Sequence, residues 1–476
     1  MAKQQGFINS NLRMVLLVVL FFQNNATAAG EGTNFSTFKV KTLPGFSGPL
    51  PFNLQTGYVT VEDVELFYYF TESERNPDED NSFTVAHRWT WLLCSLSGLV
   101  FEIGPLRFQL LEYNGTLPTL LLNPHSWTKV ASIIFLDGPV GTGFSYSRTY
   151  HGSITSDTTF AHQASRFLSK WLLLNPRFLK NPLYIAGDSY SGMVVPPIIT
   201  HILTSGDKWE PTLNLKGYLL GNPGTDSRFD FNSRIKFAHR MGLISDELYK
   251  SAKWNCRGEY VKLDPSNIQC MQDLQAISKC TERIKRSHIL EPQCTTSFRI
   301  LESLNEGQRF LHQKTEQLPL IPPDFPQPKC RGYNSFLCNI WANDISVQKA
   351  LHAWKREEFK EWIRCNESLH YIRDISSTIM YHQYLNARSF PAIIYSGDHD
   401  MVIPYLGTLD WIKSMNLTVV EKWRPWLVDG QVAGYTERYA NGLTFATVKG
   451  GGHTAPEYNP RECFAMFERW IFQQPL

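Results

Sequence analysis

A chain of 476 residues exceeds the needs of one simple core, yet it carries no long linker, repeat or low-complexity tract, so one large domain with an insertion accounts for it. Its 46 basic and 44 acidic residues leave a formal net charge of +2 without a basic run, which gives no support for nucleic-acid or membrane-surface binding. The 9 cysteines point to an oxidising compartment.

In chain order, Lys3 and Arg13, the apolar run 14–22 and Ala26-Thr27-Ala28 supply the charged region, short apolar core and small-residue cleavage site of a secretory signal over 1–28. The run is too short to span a bilayer and no second one follows, so residues 29–476 are expected to form one domain free of the membrane. Asn34, Asn114, Asn366 and Asn416 begin glycosylation sequons. Strands are predicted at 57–61, 66–70, 131–136, 183–186, 215–221, 392–396 and 444–448, with helical patterns between many of them. This is an α/β arrangement: a mixed, mostly parallel sheet with helices on both faces. The strand signal lapses over about 225–338. That span holds six cysteines (Cys256, Cys270, Cys280, Cys294, Cys330, Cys338) and reads as a disulfide-stapled cap inserted over the active-site edge. No close Cys-x-x-Cys pair occurs, so no metal is expected.

The most telling stretch is Leu183-Tyr-Ile-Ala-Gly-Asp-Ser-Tyr-Ser-Gly192. Small residues at Gly187 and Ser191, two either side of Ser189, suit a sharp strand-to-helix turn that exposes a serine hydroxyl and aims the Tyr190 N–H at a developing oxyanion. Such a turn alone is a weak signal. Two later segments add weight to Ser189: Ala392-Ile-Ile-Tyr-Ser-Gly397 runs into Asp398-His399-Asp400, and a further strand runs into Gly450-Gly-Gly-His453. Serine, acid and histidine in that order, each past a strand, are the requirement for a triad on such a sheet. Asp400 is preferred to Asp398, which directly follows Gly397 and is expected to bond the turn backbone. His453 is preferred among the 13 histidines because three glycines let its backbone approach the turn.

These residues resemble the plant serine carboxypeptidase-like family over nearly the whole mature chain. Blocks carrying the resemblance include Thr37-Phe-Lys-Val-Lys-Thr-Leu-Pro-Gly-Phe46, Phe101-Glu-Ile-Gly-Pro105, Phe135-Leu-Asp-Gly-Pro-Val-Gly-Thr-Gly-Phe-Ser-Tyr146, Gly221-Asn-Pro223, Met241-Gly-Leu-Ile-Ser-Asp246 and Trp341-Ala-Asn-Asp344. The resemblance implies an α/β-hydrolase fold and the same triad, Ser189, Asp400 and His453. It also implies one of two activities: removal of C-terminal amino acids, or acyl transfer from glucose esters to plant metabolites. Peptidase members have glutamate before the nucleophile, bonded to a second carboxyl group and helping to hold the substrate carboxylate. Here Asp188 stands at that position, with Glu102 as the second group, and the shorter side chain displaces the carboxyl group by about one methylene. The acyltransferase branch is therefore expected, with Asp188, Glu102 and Gly187 at the substrate, an acyl-glucose donor and a hydroxyl acceptor as partners, and no cofactor, since an ester is already activated. Delivery to the vacuole or the exterior is expected from the signal. A peptidase acting on a peptide C-terminus and a catalytically inactive binding homologue are the alternatives.

One segment departs from the family. Where the family has Leu-Trp-Leu-x-Gly-Gly-Pro-Gly-Cys-Ser, whose Gly-Gly supplies the second oxyanion donor, this chain reads Ser82-Phe-Thr-Val-Ala-His-Arg-Trp-Thr-Trp-Leu-Leu-Cys-Ser95. Tryptophan has one codon, TGG, and a shift of one nucleotide forward turns Trp89 and Trp91 into glycine codons. With allowed codons elsewhere, the shifted frame spells Pro-Leu-Leu-Trp-Leu-Thr-Gly-Gly-Pro-Gly-Cys-Ser-Ala. The segment is accordingly read as frame-shifted, through a sequence or gene-model error or compensating insertions and deletions, against the alternative of a natural divergent loop. As written, it removes residues that allow positive φ and close backbone approach. By resemblance Cys94 would pair with Cys338, and the altered path threatens that bond.

Overall fold

Buried apolar runs set the architecture of the computed structural model, which describes residues 35–88, 95–205, 211–293, 328, 330–353, 361–364, 366 and 368–476. The signal segment, the Asn34 sequon, Trp89, Trp91, Cys94 and Cys294 lie outside the described residues. Eleven strands are numbered here: β1 Phe35–Val40, β2 Leu54–Val61, β3 Val64–Thr71, β4 Asn81–Arg88, β5 Ala131–Leu136, β6 Leu183–Ser189, β7 Leu215–Gly221, β8 Ala392–Gly397, β9 Val419–Val428, β10 Gln431–Tyr439 and β11 Leu443–Val448. They hydrogen-bond in the order β1-β2-β3-β5-β4-β6-β7-β8-β11-β10-β9, and Tyr146–Ser147 adds a short twelfth strand on β3.

The run β5-β4-β6-β7-β8-β11 is parallel throughout. Antiparallel strands finish both sides. Parallel strands covered on both faces need continuous apolar sequence rather than alternation, and Ala131–Leu136, Leu183–Ser189 and Ala392–Gly397 are buried at every residue. In β3 the two faces separate by side-chain alternation. Tyr68 and Phe70 meet Phe167 and Trp171 of α1, Asp157–Leu174. Phe67 and Tyr69 join the cluster on the other face, where Trp127 stacks on Phe467 of the helix Pro460–Ile471. Helix α1 forms because Ser156 caps it by accepting from Thr159 N and because Phe160, Ala164, Phe167, Leu168 and Trp171 recur on one buried face. This is the α/β-hydrolase fold, with helices on both faces of a mixed sheet.

Strand β1, strand β4 and the β9–β10 hairpin were not predicted from the sequence. Central strand β4 is paired on both sides, to β5 and β6, although its residues carry no apolar run and predicted no strand. The β9–β10 hairpin also went unread, despite the Asp429-Gly430 turn, where both residues take positive φ (48° and 75°) as a tight two-residue connection requires.

Between β7 and Cys338 the named elements among the described residues are helices, α3 Ser227–Arg240, α4 Asp246–Asn255, α5 Ile268–Thr281 and the start of α6 Gly332–Asn343, joined by turns. Stapling there is only partial. Cys256 pairs with Cys270 and Cys330 is disulfide-bonded, but Cys280 and Cys338 are free thiols.

Candidate active site

Strand β6 delivers Ser189 to the end of the sheet in a strained turn, with φ 54° and ψ −121°. A non-glycine residue holds this conformation only where its surroundings fix it. The fixing is visible: Gly224 N donates to the Ser189 carbonyl at 2.8 Å, and a Cβ on Gly192 would come within 2.2 Å of Gly224 O. The loop after β7 therefore presses on the elbow, and only glycine fits at 192. A short turn, Tyr190–Met193, then leads into α2, Val195–Thr204.

Ser189, His453 and Asp400 meet in a line that is almost sealed from solvent, at 1%, 1% and 0% exposure. His453 Nδ1 lies 2.7 Å from Asp400 Oδ2, and His453 Nε2 lies 2.8 Å from Ser189 Oγ. An ionised carboxylate only accepts, so the hydrogen belongs on Nδ1, which leaves Nε2 to accept from the serine hydroxyl. Asp398 turns away, as its place after Gly397 suggested: its Oδ1 accepts from Gly450 N at 2.7 Å. Close approach requires glycine at 452, where a Cβ would lie 2.5 Å from Ser287 O, and at 397 facing it, where a Cβ would lie 2.2 Å from Gly452 O.

Tyr190 follows Ser189, and its hydroxyl donates to Asp157 Oδ1 at 3.0 Å. Gly187 lies within β6, paired to Leu220 and Ala86, so it is part of the sheet framework. Asp188 and Glu102 are both buried, at 8% and 4% exposure. They share a neighbour in Tyr395, whose phenol is pushed well above its ordinary range by burial first and then by the charges of Cys463, Asp188 and Glu102. Glu102 also lines a cavity of about 360 Å³ with Phe101, Phe108, Arg331, Asn334 and Glu457. A second cavity, about 1190 Å³, opens beside Leu215 and Thr444 at the start of their strands, the sheet end opposite Ser189, and is no part of this site.

Three features of the site were not read from sequence. Asn222 is fully buried in the left-handed region (φ 41°), donates to Asp400 Oδ2 at 2.9 Å and accepts from Gly397 N at 3.1 Å. With Val402 N at 2.7 Å and Ile403 N at 3.2 Å, it completes the donors around Asp400. The only available signal was an asparagine, a residue tolerant of positive φ, directly after a strand. The second feature is the segment 286–289, which braces the loops that carry Asp400 and His453. Met401 N donates to Arg286 O, His453 N to Ser287 O at 2.7 Å, and Ile289 N to His399 O. The third is Asp137, fully buried, which accepts from Ser95 N, Ser95 Oγ and Phe144 N, and which burial pushes up to about 6. It ties Ser95, the last residue of the altered segment, to the 138–147 turn. Cys338 is buried as well, and desolvation holds its thiol up at about 12.

A serine at a strand-to-helix elbow, with an acid and a histidine beyond later strands of a parallel sheet, defines a hydrolase-type nucleophile site on an α/β-hydrolase fold. Residues 44–473 match the serine carboxypeptidase family, and the chain belongs to it. Among similar proteins, serine carboxypeptidase-like 1 of Arabidopsis thaliana is 48% identical over 92% of this chain and 93% of its own length. Serine carboxypeptidase-like 2 of the same plant is 47% identical over the same shares. A solved prohormone-processing carboxypeptidase from Saccharomyces cerevisiae shares the fold at a TM-score of 0.70 and 19% identity, over 92% of this chain and 96% of its own. Among the described residues no helix is long and apolar enough to cross a membrane.

Proposed function

We propose that this protein moves an acyl group from a glucose ester to the hydroxyl of a plant metabolite through an acyl-enzyme on Ser189. The observation that carries the reading is the unbroken line from Asp400 through His453 to Ser189. His453 Nε2 takes the hydroxyl proton as Oγ attacks the ester carbonyl, while Asp400 holds Nδ1–H and stabilises the imidazolium. The Tyr190 N–H stabilises the oxyanion. The same imidazolium returns its proton to the departing sugar oxygen, which leaves as a neutral alcohol. An acceptor hydroxyl then attacks the acyl-enzyme, with His453 again as base. Transfer prevails over hydrolysis where the acceptor is held against the acyl carbon and water is kept out. Asp188 in place of glutamate supports transfer over peptide cleavage, because beside Glu102 it sets a different carboxyl position for a substrate carboxylate. The N-terminal signal supports entry into the secretory route, with the vacuole or exterior as destination.

A second reading, an inactive homologue, is favoured by one observation: Cys338 carries a free thiol where the family resemblance expects a bond to Cys94. The altered loop also supplies Trp89 and Trp91 in place of glycines. Assaying acyl-glucose plus an acceptor alcohol against a blocked dipeptide separates the readings. Acyl transfer supports the proposal, release of a C-terminal amino acid without transfer overturns it, and absence of both supports the inactive homologue.

A further inference from the structure

Beside the nucleophile lies an arrangement that the triad does not use. Asp157, fully buried at the start of α1, gathers three donors. Its Oδ1 accepts from the hydroxyls of Tyr190 and Tyr371, and its Oδ2 from Ile375 N at 3.2 Å. Alongside, Tyr371–Ile372 pairs in parallel with Thr155–Ser156, and Asp374 accepts from Thr158 N at 3.1 Å. The segment 371–375 is thereby fastened to Tyr190, the residue that follows Ser189. Between the fastened positions stands Arg373, exposed, with its guanidinium 5.7 Å from the centre of the Tyr190 ring. That is cation–π range, and among the described residues no carboxylate lies within ion-pair distance of Arg373. Its neighbour Asp374 is engaged by Thr158.

We propose that Arg373 is a specificity-determining residue of the Ser189 site, reading a carboxylate on the substrate, and that Asp157 is the positioning residue that holds the Arg373 segment against Tyr190. The proposal rests on Ser189 being the substrate site but not on which acyl group or acceptor is used. A guanidinium whose donors no carboxylate of the described residues claims recognises a planar carboxylate through paired, charge-assisted bonds. The Tyr190 ring beneath restricts where the guanidinium can go, so less freedom is lost on binding. Because Arg373 is exposed, the preference is expected to weaken with added salt.

The test uses binding, so that its failure is distinct from failure of acyl transfer. Ser189→Ala protein is titrated calorimetrically with 4-nitrophenyl hemisuccinate, an anion, and with its neutral methyl ester. We expect the anion to bind about tenfold more tightly, within the range of hydrogen bonds to charged groups. Adding Arg373→Gln, a surface change that leaves the core intact, should bring the ratio to about one. Tyr371→Phe, which removes one strand of the Asp157 clamp but keeps the arginine, should lower the ratio part-way. Equal binding of the two esters, no measurable binding of either, or a ratio unchanged by Arg373→Gln overturns the proposal for Arg373. A ratio unchanged by Tyr371→Phe overturns the role given to Asp157.

Discussion

Asn222 offers a sharp check because its two hydrogen bonds can be removed without straining the backbone. Glycine adopts positive φ readily, so Asn222→Gly keeps the φ of 41° while deleting the side chain. Two bonds are lost. Gly397 N, donating at 3.1 Å in a buried strand end, is orphaned, at about 1–3 kcal/mol. Asp400 loses the 2.9 Å bond from Nδ2, a hydrogen bond to a charged group of about 1.5–3 kcal/mol, but keeps Val402 N, Ile403 N and His453. Together they predict destabilisation of about 2.5–6 kcal/mol, measured by urea denaturation. With one of its restraints gone, Asp400 orients His453 less strictly, so kcat for a simple ester should fall about tenfold with KM little changed, equivalent to about 1.4 kcal/mol at the transition state. Asn222→Asp separates the two bonds. It can still accept from Gly397 N, but it faces Asp400 with a second carboxyl group, so the pair must share a proton. Its loss of rate should exceed that of the glycine variant while its loss of stability is smaller. An Asn222→Gly protein that matches its parent in both denaturation midpoint and kcat would show that neither bond matters as described.

The same geometry sets further expectations. Gly397→Ala drives a Cβ to 2.2 Å from Gly452 O, so the His453 loop must shift; overpacking of this kind costs about 1–3 kcal/mol and a displaced histidine about 10²-fold in kcat, read by denaturation and ester kinetics. Burial pushes Asp230 from 3.8 to about 7, so the folded protein holds a proton that the unfolded chain releases between those values. Its stabilising contribution is thus full below 3.8 and lost as pH rises through about 7, and Asp230→Asn, which cannot titrate, should gain on the parent protein from about pH 4 to pH 8 in pH-dependent urea denaturation. Replacing residues 82–95 by Pro-Leu-Leu-Trp-Leu-Thr-Gly-Gly-Pro-Gly-Cys-Ser-Ala should raise ester turnover about 10²- to 10³-fold through a restored oxyanion donor. The same replacement should remove the free thiol of Cys338 from a thiol titration.

What could be read from the chain and what could not divides along physical lines. The elbow at Ser189 is local: an apolar strand, small residues at the turn and a helix lie within one stretch. The choice between Asp398 and Asp400 was also legible, because a residue directly after the strand-end Gly397 is placed to bond the turn, and Asp398 takes the Gly450 N–H. Strand β4 was not, since Ser82-Phe-Thr-Val-Ala-His-Arg88 lacks the apolar run that a central parallel strand calls for, and only its neighbours β5 and β6 place it. The shifted frame supplies Pro-Leu-Leu-Trp-Leu there, which suits the position better. Asn222, Ser287 and Asp157 act across separations that no periodicity encodes, because each contributes through a bond to a loop more than 30 residues away. The cysteine spacings likewise showed a stapled region but not that Cys280 and Cys338 would remain thiols.

Activation of the Ser189 hydroxyl by His453 and Asp400 is probed without any knowledge of the natural substrate by treating the protein with a fluorophosphonate and locating the adduct by peptide mass spectrometry. A single modification is expected, on the peptide containing Ser189, and it should be lost in the His453→Ala protein although that protein remains folded. An adduct on another residue, no adduct on the folded protein, or equal labelling of Ser189 after His453→Ala would contradict the assignment of the triad.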